Sequence, residues 1–230
     1  MLNQEKHRVI MFQIINDIFD SDLKDILAFK WWTLAYFVHQ LPRFSTDLDF
    51  DIISPWPNII ERVEDIIKKY WTIKDKKDKQ FTYFLLLDYG SDEHNIKIEI
   101  SKKQYKNTEY ELINFFWKQI RAMKKSSIFA HKLVALSERM KNRDLFDVDY
   151  FFKQWFPINK EIISERTWLT YKDFLEKLLI IIPKEFKSNT ILAEIWDLIS
   201  NKQKTFMKTK MVDEVLWFIK LELFNISRNW

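Results

Sequence analysis

Asp47, Asp49 and Asp51 stand two residues apart in the stretch DLDFDI, where every acid is followed by an apolar residue. On a β-strand, residues two apart point to the same face. The three carboxylates therefore project together while Leu48, Phe50 and Ile52 turn into a core. Like charges on one face repel unless a cation sits among them. Divalent magnesium suits them, because it takes oxygen ligands and keeps water or substrate phosphate in its shell. A second alternating stretch, NIKIEIS at 95–101, puts Ile96, Ile98 and Ile100 on one face and Lys97 and Glu99 on the other. If the two strands pair, Glu99 joins Asp47 and Asp49 as a third metal ligand. Two ions ~3.5–4 Å apart, bridged by such acids, suit in-line phosphoryl or nucleotidyl transfer. The plainer reading is an acidic edge strand facing water, and alternation alone favours that one.

The elements that would position these acids can be traced along the chain. Apolar spacing predicts a helix over 5–19 and a short one from Thr33 to Gln40, stopped by Pro42. Pro55 and Pro57 break the chain ahead of a helix across 58–70. KDKKDK at 74–79 reads as a charged turn, FTYFLLLDYG at 81–90 as a buried strand, and SDE at 91–93 as a tight turn. After about residue 125 only helical patterns remain, at 126–140, 143–154, 171–181, 189–201 and 211–226. The fold class expected is α/β (α+β): a small mixed sheet with flanking helices over 1–125, then a helical bundle over 126–230.

Composition narrows the function classes. The chain has 230 residues, 47% hydrophobic and 30% charged, an ordinary globular balance with material for a core. A net charge of +4 permits an anionic partner without requiring one. With no cysteine there is no disulfide framework and no thiolate chemistry. No apolar run approaches the ~20 residues that span a bilayer, and the first ten residues lack a signal-peptide core; the expectation is a soluble, cytoplasmic protein. His7, His39, His94 and His131 show no metal-binding spacing, and neither a phosphate-binding glycine loop nor a Gly-x-Ser-x-Gly elbow is present. NKQKTFMKTK at 201–210 and KQIRAMKK at 118–125 are basic, equally fit for an RNA backbone or for plain solvent.

Four motifs in order then carry a resemblance: FK..T from Phe29, RFSTDLDFD from Arg43, IKIEIS from Ile96, and AHKLVAL..R...RDLFDVDYFF from Ala130. Together they resemble the nucleotidyltransferases of the AbiEii/AbiGii toxin type, relatives of the polymerase-β fold, from about Phe29 to the C-terminal helices. The resemblance implies that Asp47, Asp49 and Glu99 bind magnesium, in two sites, and that the substrate is an NTP. It places Lys30, Trp31, Trp32, Thr33, Arg43, Ser45, Lys97, Arg143 and Asp147 at the nucleotide and its phosphates, with Arg43 and Lys132 neutralising triphosphate oxygens. It gives catalytic weight to Lys132 and to one aspartate of the pair Asp144 and Asp147, which lie three apart on one helical face; Asp144 is the first choice. It further implies an RNA acceptor, the tRNA 3′ end, a cognate antitoxin protein, and a role in phage defence. Surface ion pairs around a helix cap are the plainer account of Arg143, Asp144 and Asp147.

One departure stands inside the motif. Where the family carries Gly-Gly or Gly-Ser after the lysine, to bring backbone N–H groups against phosphate, this chain has Trp31-Trp32. Taken literally, two indoles fill the phosphate site and leave a catalytically impaired binding module. Yet the whole chain has one glycine and ten tryptophans, where about 7% glycine, roughly 16 residues, is usual. Trp71, Trp117, Trp155 and Trp168 sit where turns or helix ends are expected, the positions glycine usually takes. The deficit and the excess coincide by position. That coincidence points to UGA codons that mean glycine in the source cell, as they do in some bacteria, read here as tryptophan. A decayed or deliberately altered site is the alternative.

Overall fold

The computed structural model describes residues 3–90 and 94–228; the turn expected at 91–93 lies outside them. The chain divides into two compact units, the first comprising Met1–Gln40, Phe44–Gln104 and Tyr110–Met123, the second Leu41–Arg43, Tyr105–Glu109 and Lys124–Trp230.

The first unit is built on a sheet. Its elements are α1 (Gln4–Asp20), β1 (Leu27–Phe29), α2 (Trp31–Val38), β2 (Asp47–Ile52), α3 (Ile59–Ile67), β3 (Thr72–Asp78), β4 (Thr82–Asp88), β5 (Ile96–Ser101), β6 (Tyr110–Phe115) and β7 (Lys118–Met123). The seven strands run in the order β3-β4-β5-β2-β1-β7-β6. β2 lies parallel to β5, in a register that sets Leu48 beside Ile98 and Phe50 beside Ile100. β4 continues the apolar stripe, with Leu85 opposite Ile98 and Leu87 opposite Ile96. All of these side chains are buried, and Phe50 meets Phe19 of α1 and Phe29 of β1 at ring distances of 6.2 and 5.5 Å. Strict alternation fixes this register, because a slip of one residue would turn the isoleucines outward.

Two segments of this unit differ from expectation. KDKKDK, read as a charged turn, is most of β3, whose outward side chains are largely exposed. It is an edge strand with water beside it, so it has no apolar stripe to betray it. KQIRAM, read only as basic, is β7, paired antiparallel with β6 and parallel with β1.

The second unit is helical: α4 (Lys125–Arg139), α5 (Asn142–Lys153), α6 (Lys160–Thr167), α7 (Tyr171–Glu185), α8 (Asn201–Thr209) and α9 (Met211–Arg228). The helix expected over 189–201 is instead a string of turns with a 3-10 turn at Trp196–Leu198. Glu194 takes φ 65°, which no α-helix admits, and Asn142 donates to the freed carbonyls of Thr190 and Ala193 at 2.9 and 3.2 Å. The basic run at 201–209 is helical because Ser200 and Gln203 cap it reciprocally. α7 continues past Pro183 to Glu185; so near the C-terminal end the ring removes only one hydrogen bond.

Candidate active site

In the first unit the acids meet as their spacing requires. The parallel register places Asp47 beside Lys97, Asp49 beside Glu99 and Asp51 beside Ser101, all on the face opposite the apolar stripe. The Lys97 ammonium lies 3.1 Å from Asp47 Oδ2 and 3.3 Å from Glu99 Oε2. Burial works against that charge, but Asp47 and Glu99 outweigh it and hold the group above the usual lysine range.

Asp49 is the buried member, 1% exposed. Its Oδ2 has no hydrogen-bond partner. Burial first, then the repulsion of Asp47, pushes its carboxyl up to about 7, with Glu99 adding to the rise and Lys30 and Lys97 opposing it. A carboxylate with its charge so poorly compensated attracts either a proton or a cation. Among the described residues, no three His, Cys, Asp or Glu side chains are grouped as a ready-made metal site. The donor set nonetheless fits a hard divalent ion: oxygen ligands only, one of them orphaned and buried, with Lys97 already drawn between the other two.

Lys30 does not stand free at the start of α2. Its Nζ lies 2.6 Å from Asp51 Oδ1, with both side chains buried, and Tyr110 donates to the other oxygen of Asp51 at 2.9 Å. Asp51, which shares the face of Asp47 and Asp49 in sequence, is therefore committed to a lysine and a tyrosine. Thr33 and Ser45, both buried, share a hydrogen bond of 2.6 Å. Thr33 also donates to the Asp47 carbonyl, and the Lys30 N–H donates to the Asp49 carbonyl at 3.0 Å. These bonds fasten the first turn of α2 to β2. No side chain caps that turn, so its N–H groups are the ones a phosphate could take. Trp31 opens it at φ 60°, with Lys30 Nζ 4.4 Å from its ring centroid and the Trp32 ring 5.0 Å away.

His7 is a residue that spacing did not reveal. It is fully buried, its Nε2 3.0 Å from the Thr46 carbonyl and its Nδ1 2.8 Å from the Tyr89 hydroxyl. A carbonyl only accepts, so the proton sits on Nε2 and Nδ1 accepts from the tyrosine. Burial lowers its pKa and keeps the ring neutral. The ring thereby pins the residue before Asp47. An isolated histidine in a helix gives no sequence signal for this.

The second unit gathers the other predicted residues into a chain of ion pairs. Arg43 grips Asp147 with two bonds, Nε to Oδ1 at 2.6 Å and Nη2 to Oδ2 at 2.7 Å. Lys132 Nζ lies 2.9 Å from both Asp147 Oδ2 and Asp144 Oδ1. Arg139 holds Asp144 from the far side, at 2.7 and 2.9 Å. Both aspartates are completely enclosed, on the face of α5 turned to α4, as their three-residue spacing requires. Burial alone would raise the Asp144 carboxyl, but Lys132 and Arg139 reverse it and hold it at about 2. Arg143 is half-buried beside them on α5. Three cations and two acids interlock in this chain of pairs.

A profile described as nucleotidyl transferase AbiEii toxin, type IV TA system, matches residues 14–216. No protein of curated function matches the chain. Among solved structures, JHP933 from Helicobacter pylori is 21% identical with a TM-score of 0.63, over 100% of this chain and 97% of that one. A candidate nucleotidyltransferase from the same species is 20% identical with a TM-score of 0.66, over 100% and 99%. At these identities the likeness is one of fold. Among the described residues, no helix is long and apolar enough to cross a membrane.

Proposed function

Because the chain belongs to the AbiEii nucleotidyltransferase toxin family, we propose that it moves a nucleoside monophosphate from an NTP to an acceptor hydroxyl. The acceptor oxygen bonds to the α-phosphorus as the bond to pyrophosphate breaks. We take the acceptor to be RNA, at the tRNA 3′ end, and the setting to be a defence system in which a cognate antitoxin restrains the toxin.

One observation carries this reading: the parallel register that sets Asp49 beside Glu99, with Asp47 and Glu99 already sharing one ammonium. Asp47, Asp49 and Glu99 are the residues to hold magnesium, two ions in this proposal. Bound there, magnesium would neutralise charge on the reacting phosphate and orient it. Lys97, beside Asp47 and Glu99, is assigned to a phosphate oxygen. Arg43 and Lys132 are assigned to triphosphate oxygens, Arg as a planar fork and Lys as a point charge. Asp144 and Asp147 are the counter-charges that hold them in position. Thr33 and Ser45 keep the first turn of α2 against β2, where backbone N–H groups can take phosphate.

Trp31 and Trp32 favour a second reading for the sequence as written. Their rings, 5.0 Å apart and tilted 46° to each other, occupy the start of α2, so the literal chain is an impaired member that binds without catalysing. The test is transfer of labelled NTP to RNA by the double variant Trp31→Gly, Trp32→Gly. Labelling is expected with that variant and expected to vanish when Asp49→Ala is added. Equal labelling with and without Asp49 overturns the proposal.

A further inference from the structure

Four of the tryptophans occupy backbone conformations that belong to glycine. Among the described residues, Trp31, Trp71, Trp155 and Trp168 take φ of 60°, 152°, 53° and 60°. A bulky side chain at positive φ is a steric outlier, because its Cβ meets the backbone; Gln40, Asn58, Phe116, Met140 and Glu194 also take positive φ, so it is the concentration in tryptophan that marks these four. Trp71 is the extreme case: with ψ −152° it lies in a region that glycine alone enters freely.

At two of these sites the surrounding hydrogen bonds spell out a glycine motif. α5 ends with Trp155 N–H donating to the Phe152 carbonyl and Phe156 N–H to the Phe151 carbonyl, each at 3.0 Å. The rings of Phe151 and Phe156 stack 4.9 Å apart. This is a complete Schellman ending with its apolar clasp, and Trp155 stands at the left-handed position that glycine normally fills. α6 ends with Trp168 N–H bonded to the Ser164 carbonyl at 3.0 Å, the simpler left-handed ending, with the same residue preference.

Three of the side chains recover little against this strain. Trp71, Trp155 and Trp168 are 55%, 72% and 92% exposed, so their indoles contribute little buried area. The four positions are spread over both units, at a helix start, a strand start and two helix ends. Damage or redesign confined to one site does not produce that distribution. A single replacement of one letter by another does.

We infer that the protein made in its own cell carries glycine at positions 31, 71, 155 and 168, each encoded by UGA read as glycine. At position 31 this deepens the proposed function and rests on it, since glycine there bares the N–H groups at the start of α2. At the other three it is independent of any activity. Trp32 and Trp217 lie within helices, and Trp117, in the hairpin between β6 and β7, is not at positive φ, so backbone geometry assigns only the four.

Peptide mass spectrometry of the protein purified from cells that carry its gene natively decides the matter without reference to catalysis. Each of the four positions is expected to show the mass of glycine. An indole mass, or a UGG codon, at any of them overturns the inference. A second measurement uses recombinant protein: the quadruple variant W31G/W71G/W155G/W168G is expected to melt several degrees above the literal chain, relief of strain outweighing the loss of exposed rings. An unchanged or lower midpoint counts against the inference, whatever the transfer assay reports.

Discussion

At the scale of single residues, Lys30 and Asp51 form a buried ion pair 2.6 Å long. Asp51 is 5% exposed, and its oxygens are divided between Lys30 and Tyr110. Removing one partner of a buried pair strands the other charge, at a cost of about 3–5 kcal/mol. Lys30→Met is therefore expected to lose that much in urea-unfolding free energy. The double variant Lys30→Met, Asp51→Leu is expected to recover most of it, since no charge is then left uncompensated. If the single variant unfolds like the parent, Lys30 is not held by Asp51 in solution. A loss of transfer in the double variant with stability restored would return Lys30 to the phosphates, the role its place in the motif implies.

At the scale of elements, the alternating strands and the amphipathic helices declared themselves because one of their faces is dry. The acid face of β2 and the isoleucine face of β5 were legible from period-two spacing, and so was the meeting of Glu99 with Asp49 once the strands were taken to pair. The charged edge β3 and the basic helix α8 were not, because both are wet around most of their surface and carry no apolar rhythm; α8 owes its start to the Ser200–Gln203 cap. The turns at 189–199 failed for the opposite reason, since Ile191, Leu192, Ile195 and Ile199 mimic helical spacing while Glu194 breaks the backbone. The ion pairs holding Lys30 and Arg43 were invisible because they join residues 21 and 104 positions apart. The same contrast predicts stabilities. Ile98→Ala, in the fully buried stripe across β4, β5 and β2, is expected to cost about 2–5 kcal/mol. Lys77→Ala on β3 is expected to stay within about 0.5 kcal/mol in the same denaturation experiment.

At the scale of the whole molecule, buried carboxylates shape stability against pH in two opposed ways. Asp144 is held at about 2 in the folded state, below its ordinary value of 3.8. Its contribution, about 2 kcal/mol, is complete above pH ~4 and disappears as pH falls through 2. Asp149 runs the other way: burial, against Lys153 and with Glu214 adding repulsion, raises it to about 6. The folded state then binds the extra proton, so stability is highest below pH ~4 and declines as pH rises to 6. Thermal midpoints across pH 2–8 are expected to show both limbs, Asp144→Asn removing the acid one and Asp149→Asn reducing the other, to which the raised Asp49 also contributes. A flat profile in the parent protein would contradict both assignments.

The lysine-rich outer strand has a consequence for life in a crowded cell. β3 closes one border of the sheet, where unpaired N–H and C=O groups would invite another chain to add on. With Lys74, Lys76 and Lys77 exposed along that border, interleaved with Asp75 and Asp78, an approaching copy must strip water from charged side chains before any hydrogen bond can form. The strand that looked most like a mere turn is thus a fence, guarding newly made molecules against sticking edge to edge.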